Sequence, residues 1–204
     1  MGPTLLEHLR ERTRPAHVAL EAQPLLKRLL SSQLTESQYR ELLQSMLAFY
    51  QALDAELVPA TAALLSRFPD PDYRYLPRAP LLSSDCEALG CAMPPVPRPT
   101  VEPHLSGREG YLLGVLYVIE GSTQGGRFIS RHLADTLDRD EHSGAGFFNL
   151  HRGNDSWAAF RRWLDKGLAF EHRNDIENII EGADMTFSAL RTHLDQWQLP
   201  THGN

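Results

Sequence analysis

Apolar residues recur every three or four positions along most of the chain, the spacing that places them on one face of an α-helix. Leu5 and Leu9 begin this pattern, and Val18, Leu25 and Leu26 continue it. No segment sustains the alternation of apolar and polar residues that marks a half-buried strand. The sequence therefore predicts an all-α fold.

The widest apolar stripe lies between residues 39 and 57 and predicts a long helix. Thr35 is followed three residues later by Gln38, which matches the capping box at the start of a helix. We expect Pro59 to stop or bend this helix and a separate short helix to cover residues 58–68. The stripe consists of Leu42, Leu43, Met46, Phe49, Tyr50 and Leu53.

Residues 69–103 hold nine of the fourteen prolines. Because proline lacks the amide hydrogen that a helix interior needs, this composition predicts a connector. Within it, only Leu81–Leu89 has a helical pattern, and Ser83 or Ser84 is its expected cap.

A long apolar helix is predicted from about Gly107 to Leu137, and it contains glycines at 110, 114, 121, 125 and 126. Each glycine in an ordinary helix interior costs about 1 kcal/mol relative to alanine, so these glycines need a structural reason. After a loop at 144–146, two further helices are predicted: 157–170, which begins at Asp155 or Ser156, and 173–197.

Composition and charge describe an ordinary globular chain. The 204 residues are 42% hydrophobic and 23% charged, and we predict one domain that spans residues 1–204. The net charge of −6 argues against nucleic-acid binding.

No apolar run is long enough to span a bilayer, and the N-terminus lacks a secretory apolar core, so we expect a cytoplasmic protein without membrane contact. Two cysteines, Cys86 and Cys91, exclude a disulfide scaffold and fit a reducing cytosol.

The first candidate site consists of Arg10, Arg14, His17 and Glu21, which fall within about 60° of one another on a helix. The imidazole is a metal ligand, the carboxylate one turn later can orient it, and paired guanidiniums bind carboxylates. A planar dianionic ligand such as heme fits this set. Pro15 is expected to begin or bend the helix between Arg10 and His17. An ordinary solvated helix face is the alternative.

The second candidate site is Gly121-Ser-Thr-Gln-Gly125-Gly126, in which Gly121 and Gly125 share a helix face. Glycines on one face let a flat molecule approach the main chain, or let the helix kink. A phosphate loop is disfavoured because no strand precedes this segment and no Lys-Ser/Thr pair ends it. Close packing against another helix is the alternative that the segment leaves open.

Both segments resemble the heme oxygenase family, specifically its short bacterial branch, which includes the bacteriophytochrome-associated group. Residues 13–21 (TRPAHVALE) resemble the proximal ligand segment, and residues 117–122 (YVIEGS) resemble the distal helix. The likeness covers about residues 5–197 and implies a helical bundle with heme between a proximal helix and a kinked distal helix. It also implies a site made of Arg10, Arg14, His17, Glu21, Tyr117, Gly121, Ser122 and Gly125.

The resemblance assigns a role to each of these residues. His17 is the axial ligand of the heme iron, and Glu21 orients it. Arg10, Arg14 and Tyr117 face the propionates, while Gly121, Ser122 and Gly125 line the distal, catalytic face. Animal enzymes of the family carry an Asp at the position of Ser122, so proton delivery here must use Ser122, main-chain carbonyls and water.

The implied reaction cleaves heme, which is both substrate and cofactor, with O₂ to biliverdin, CO and free iron. The chain has no flavin or dinucleotide fingerprint, so electrons are expected from an external ferredoxin or flavoprotein reductase. Iron acquisition and chromophore supply to a bacteriophytochrome are both compatible purposes. A non-catalytic heme carrier or sensor, a thiamin-related helical hydrolase and a helical adaptor are the alternatives.

His132 and the remaining histidines, His193 among them, are predicted to lie on the surface.

Overall fold

The computed structural model describes residues 4–91, 105, 107–150, 152, 155–165 and 175–197, and in these ranges the secondary structure is helical, without strands. The all-α prediction is confirmed. The elements are α1 (Leu5–Glu21), α2 (Pro24–Leu29), α3 (Glu36–Arg67), α4 (Ala79–Ala88), α5 (Glu109–Leu137), a 3₁₀ turn (Phe147–Asn149), α6 (Ser156–Trp163) and α7 (Ile176–Gln196).

Helix α1 begins with a capping box and does not break at Pro15. The Thr4 hydroxyl accepts from the Glu7 amide, and the Glu7 carboxylate accepts from the Thr4 amide. The expected helix start at Pro15 is wrong, since α1 begins at Leu5 and continues to Glu21, and the alternative of a bend stays a prediction. Proline removes one backbone hydrogen bond, and the buried side chains of Leu9 and Leu20 anchor the helix on both sides of it.

Helix α3 also continues through a proline. Its predicted capping box, Thr35 with Gln38, is confirmed. The predicted stop at Pro59 and the separate helix 58–68 are wrong, because one helix of 32 residues runs to Arg67, and the alternative of a bend stays a prediction. Leu57 and Leu64 are buried on either side of Pro59, so packing of both halves outweighs the missing hydrogen bond.

Helix α4 begins at Ala79, two residues before the predicted start, and neither Ser83 nor Ser84 caps it. A distant residue provides the cap: the Asp54 carboxylate on α3 accepts the Ala79 amide at 2.7 Å. The start is therefore determined by a tertiary contact, with Pro80 in the first helical turn.

The other helical predictions agree where the structure describes them. Helix α5 matches the predicted long helix, and Ser156 is the first residue of α6. The predicted end of that helix at 170 and the predicted start of the last helix at 173 lie outside the described residues. No described helix has the length and apolar character needed to cross a bilayer.

Two glycines explain how closely α5 and α7 pack. A Cβ atom on Gly114 would overlap the Ile179 carbonyl oxygen, and one on Gly182 would overlap the Tyr111 carbonyl oxygen. Close helix packing is therefore the structural reason for Gly114, one of the five glycines of α5 for which a reason was expected. Gly110 faces Asp175 at the start of α7, so α5 and α7 run in the same direction.

We expect Gly114→Ala to destabilise the fold by about 1–3 kcal/mol, because the added methyl group meets rigid main chain. The measurement is chemical denaturation of the ligand-free protein. Gly125→Ala is the matched control: its Cβ would meet only Ile129, at 3.9 Å among the described residues. The control should be neutral or stabilising by up to about 1 kcal/mol. Equal losses for both variants would contradict the packing argument.

Candidate functional site

The predicted site residues lie on α1 and α5, and the region between these two helices, beside their contact, is termed the cleft. The two helices meet where the hydroxyl of Tyr117 lies beside that of Thr13. His17 is one turn further along α1, and Gly121 is one turn further along α5. Helix α1 follows α7 in the same direction, since Arg12 pairs with Glu177 and His17 contacts Phe187. His17 and Gly121 therefore lie on the same side of the Thr13–Tyr117 contact.

The His17 side chain is half-exposed and contacts a side chain of α7. Its side chain is 54% exposed, and the edge of its ring packs against buried Phe187 at a centroid distance of 5.5 Å. Its Nε2 lies 3.6 Å from a carboxylate oxygen of Glu21, slightly beyond hydrogen-bond distance. One ring nitrogen thus faces an acceptor while the other stays available, as a metal-binding imidazole requires.

Arg10 and Arg14 are exposed on the His17 side of α1, and neither forms an ion pair with another described residue. Arg12, on another face, pairs with Glu177 at 3.3 Å. Burial raises the pKa of Tyr117, and the Thr13 hydroxyl and the Arg10 charge partly offset that rise. Two free cations and a phenol thus border one end of the cleft, which suits an anionic ligand.

Gly121 and Gly125 are not in tight contact with the main chain of another described helix. Among the described residues, a Cβ atom on Gly121 would meet only Trp157, at 3.6 Å, and one on Gly125 would meet only Ile129. These are ordinary van der Waals contacts, so the described part of the chain has room for side chains at both positions. Helix α5 is continuous through this segment. No described residue therefore requires glycine at these two positions for steric reasons, which favours a bound molecule there.

One aromatic side chain lies beside Gly121. Trp157 on α6 is 3.6 Å from the position of a Cβ atom on Gly121, and its ring lies 5.8 Å from that of Tyr117. The Arg161 guanidinium is 6.0 Å from the Trp157 ring. The helical spacing of Trp157 is that of a core residue, and neither Thr13 nor Phe187 is among the predicted site residues. Only the contacts between helices reveal where these side chains lie.

Ser122 is hydrogen-bonded to a buried phenol. Its hydroxyl donates to the Ile119 carbonyl at 2.8 Å and also bonds the hydroxyl of Tyr50 on α3. Burial raises the pKa of Tyr50 to about 12. Sequence reasoning missed Tyr50 because it belongs to the apolar stripe of α3, where only its hydroxyl distinguishes it from the neighbouring Phe49.

A buried ion pair lies directly behind Gly121. Arg78 donates to Glu120 at 2.8 Å, with side chains 1% and 0% exposed. The Tyr73 hydroxyl donates to the other oxygen of Glu120 at 3.1 Å, and Arg78 also donates to the Leu76 carbonyl. The end of the connector is thereby attached to the turn of α5 that carries Gly121. Sequence reasoning missed this pair because its members are 42 positions apart.

A hydrogen-bonded pair lies near Tyr50. The Tyr75 hydroxyl donates to Asp54. Burial raises the pKa of both Tyr75 and Tyr50, and the charge of Asp54 raises both further. Tyr75 also lines a surface cavity together with Asp72, Ser156 and other residues, so it lies near both this cavity and Tyr50.

Two histidines have structural partners. His132 is half-buried, and its Nε2 lies 3.0 Å from the Ser31 carbonyl, so it belongs to the α2–α3 loop contact and is no distal ligand. The surface prediction for His193 is wrong: it is buried and bonds the Ser45 carbonyl at 2.8 Å. Among the described residues, no group of three or more His, Cys, Asp and Glu side chains could hold a metal ion.

We expect Glu120→Ala to destabilise the protein by about 3–5 kcal/mol, because it leaves the Arg78 guanidinium buried without its partner. Urea denaturation followed by circular dichroism is the measurement. The double variant Arg78→Met with Glu120→Leu removes both charges and should recover most of the loss. A single-variant loss below about 1 kcal/mol would show that the pair is not desolvated.

Comparisons with known proteins were made on both sequence and structure. The model of the heme oxygenase family matches residues 3–196. A search among curated proteins finds no match. The heme oxygenase structure from Leptospira interrogans is similar with a TM-score of 0.76 and 20% identity, over 96% of this chain and all of the other.

Two further solved structures share this architecture. Heme oxygenase-1 from the cyanobacterium Synechocystis sp. PCC6803, in complex with heme, has a TM-score of 0.71 and 18% identity over 95% of this chain and 92% of that one. The NO- and CO-bound heme oxygenase from Neisseria meningitidis has a TM-score of 0.67 and 22% identity over 99% of each chain. At these identities the structural likeness establishes the fold.

Proposed function

Because the chain belongs to the heme oxygenase family, we propose that the cleft between α1 and α5 is its heme site, in which His17 would hold the iron. The family degrades heme, so this chain is an oxidoreductase that acts on heme. One observation carries the site assignment: half-exposed His17 lies on the same side of the Thr13–Tyr117 contact as Gly121 and Gly125, and no described main chain packs tightly against either glycine. A flat macrocycle needs an imidazole on one face and a low wall on the other.

The charges around the cleft suggest how heme is oriented. Arg10 and Arg14 lie on the His17 side of α1 without an ion-pair partner among the described residues, and Arg161 lies beside Trp157. Guanidiniums bind carboxylates through paired hydrogen bonds, so these residues suit the two propionates. Tyr117, next to Arg10, is placed to donate to one of them. Glu21 would hold the ring nitrogen of His17 that does not bind iron.

Heme supplies the iron that binds and activates O₂, and its own ring is the part oxidised, which yields biliverdin, CO and free iron. The chain contributes a distal wall without an acid or base side chain at Gly121 and Gly125. The main chain at these two positions would leave O₂ room beside the bound heme. The absence of an acidic or basic side chain at Gly121 and Gly125 thus favours catalysis.

Protons must reach this wall, and Ser122 is the hydroxyl nearest to it in the sequence. Ser122 is exposed to the cleft, while its partner Tyr50 is buried behind it. We propose that Tyr50 holds and orients the Ser122 hydroxyl, and that Asp54 and Tyr75 connect Tyr50 to the surface cavity. The raised pKa of Tyr50 keeps its proton in place at neutral pH, so it can donate a hydrogen bond throughout turnover.

Members of the family take electrons from an external donor, and we propose a ferredoxin or a flavoprotein reductase in this role. A cytoplasmic location and a bacteriophytochrome as acceptor of biliverdin are also proposals, supported by the two reduced cysteines in the sequence and by the short bacterial type of the chain. Chromatography of the biliverdin isomer separates the purposes, because a β or δ product would contradict chromophore supply.

The activity is tested by reconstitution with hemin, followed by a reductant in air. We expect the heme absorbance to decay while biliverdin and CO appear. A heme carrier or sensor is the second candidate, since it would use the same ligands. Persistence of the heme spectrum without biliverdin would favour that function over catalysis.

We expect His17→Ala to lose the imidazole-ligated heme spectrum and to bind hemin at least tenfold more weakly. Titration with hemin, monitored by absorbance, measures both effects. His142→Ala is the matched control, because His142 is exposed in a loop after α5 and has no place in the cleft. If the two variants gave the same spectrum as the unchanged protein, His17 would not be the ligand.

We expect Tyr50→Phe to slow biliverdin formation about tenfold or more while hemin affinity stays the same, because positioned proton donors contribute ~10²–10⁴-fold. Single-turnover kinetics and hemin titration measure the two quantities. Tyr39→Phe is the control, since Tyr39 is an equally buried tyrosine whose hydroxyl bonds the Gly144 carbonyl. Equal rates for Tyr50→Phe and Tyr39→Phe would remove Tyr50 from proton delivery.

A further inference from the structure

Helix α4 ends in a turn that brings two cysteines together. Gly90 has a left-handed backbone (φ 62°), the Cys91 amide donates to the Cys86 carbonyl at 2.8 Å, and the Gly90 amide donates to the Glu87 carbonyl at 3.0 Å. These bonds define a Schellman motif, in which the residue after the glycine packs against the residue five positions before it. That contact is usually apolar, but here both residues are cysteines.

The geometry fits a disulfide without movement of the main chain. With 2.8 Å between the Cys91 nitrogen and the Cys86 oxygen, standard bond lengths limit the Cα–Cα distance to about 6.7 Å. Disulfides span Cα–Cα distances of roughly 4.4–6.8 Å. Both cysteines are free thiols in this structure, and their side chains are hydrogen-bonded to each other.

The two thiols differ in burial and in acidity. Cys86 is buried, whereas Cys91 is partly exposed. The hydrogen bond from the Cys86 thiol lowers the pKa of Cys91, and the Arg40 charge adds to this effect. The same hydrogen bond, together with burial, raises the pKa of Cys86. Cys91 is thus the accessible nucleophile and Cys86 the partner that holds its proton.

We propose that Cys86 and Cys91 form a reversible redox site that a hydroperoxide oxidises to an intramolecular disulfide. The Cys91 thiolate attacks the O–O bond and becomes a sulfenic acid, and the leaving oxygen takes up a proton as water or an alcohol. The Cys86 sulfur then displaces the hydroxyl group from the Cys91 sulfur, and its proton leaves in a second water. Two thiols lose two electrons, and the peroxide bond gains them.

The site is independent of the heme cleft but lies on an element that supports it. Asp85, the neighbour of Cys86, accepts the amides of Gly146 and Phe147 at 2.7 and 2.8 Å. The Phe147 ring lies 5.5 Å from that of Tyr50. The disulfide would therefore fix the end of the helix that positions this part of the core.

The test treats the reduced, heme-free protein with hydrogen peroxide at low micromolar concentration. We expect the intact mass to fall by two hydrogens, at a rate independent of protein concentration, and dithiothreitol to restore it. Proteolytic cleavage after Glu87 separates the two cysteines, so the fragments should remain joined only in the oxidised protein. Wild-type protein that gains oxygen at Cys91 while Cys86 stays free, or that forms disulfide-linked dimers, would overturn the proposal.

Matched variants separate the two roles. Cys86→Ser should leave Cys91 to gain oxygen, because the resolving thiol is absent. Cys91→Ser should leave buried Cys86 at least tenfold slower to react. Gly90→Ala strains the turn at a position with open space, so it should slow disulfide formation severalfold while circular dichroism shows the same helix content. An unchanged rate in Gly90→Ala would overturn the role of the turn in pairing the thiols.

Discussion

The main-chain contact between α5 and α7 at Gly114 and Gly182 determines where everything else in the site can lie. Neither glycine has space for a methyl group, so the two helices have one relative position. Helix α7 then seats His17 of α1 through Phe187, and α5 carries Gly121 two turns after Gly114. The distance between the imidazole and the glycine wall is thus determined by backbone packing and not by flexible side chains.

The buried Arg78–Glu120 pair acts on the same helix from the opposite side. Burying two charges is expensive, and a hydrophobic pair of similar volume is often as stable. The pair instead requires one particular arrangement, since Tyr73, the Leu76 carbonyl and Glu120 must all be in place to satisfy Arg78. It joins the connector to α5 immediately before Gly121, so the rigidity of the distal wall arises from both faces of α5.

Sequence spacing was sufficient for features that one helix defines. Arg10, Arg14, His17 and Glu21 share a face because of helical periodicity alone, and the capping box of α3 was equally readable. Features that depend on contacts between two elements could not be predicted from sequence spacing. Pro15 and Pro59 remain inside helices because of packing elsewhere, and Asp54 on α3 caps the distant start of α4.

The same limit applies to the candidate site. The glycines of α5 look alike in sequence, yet Gly114 serves packing while Gly121 faces open space, a distinction that only the position of α7 reveals. Tyr50 and Trp157 read as core residues because apolar periodicity does not report what a hydroxyl or an indole faces. Roles of this kind follow from tertiary contacts.

Heme bound beside Gly121 and Gly125, as proposed, would change the stability of the chain in the course of each turnover. A ligand that fills this site stabilises the folded state in proportion to the logarithm of its concentration over Kd. Since heme is consumed by the reaction it undergoes, each completed turnover returns the chain to its less stable, unfilled form. Resistance to proteases in the cell would then rise and fall with the supply of heme, so that abundance of the enzyme follows abundance of its substrate.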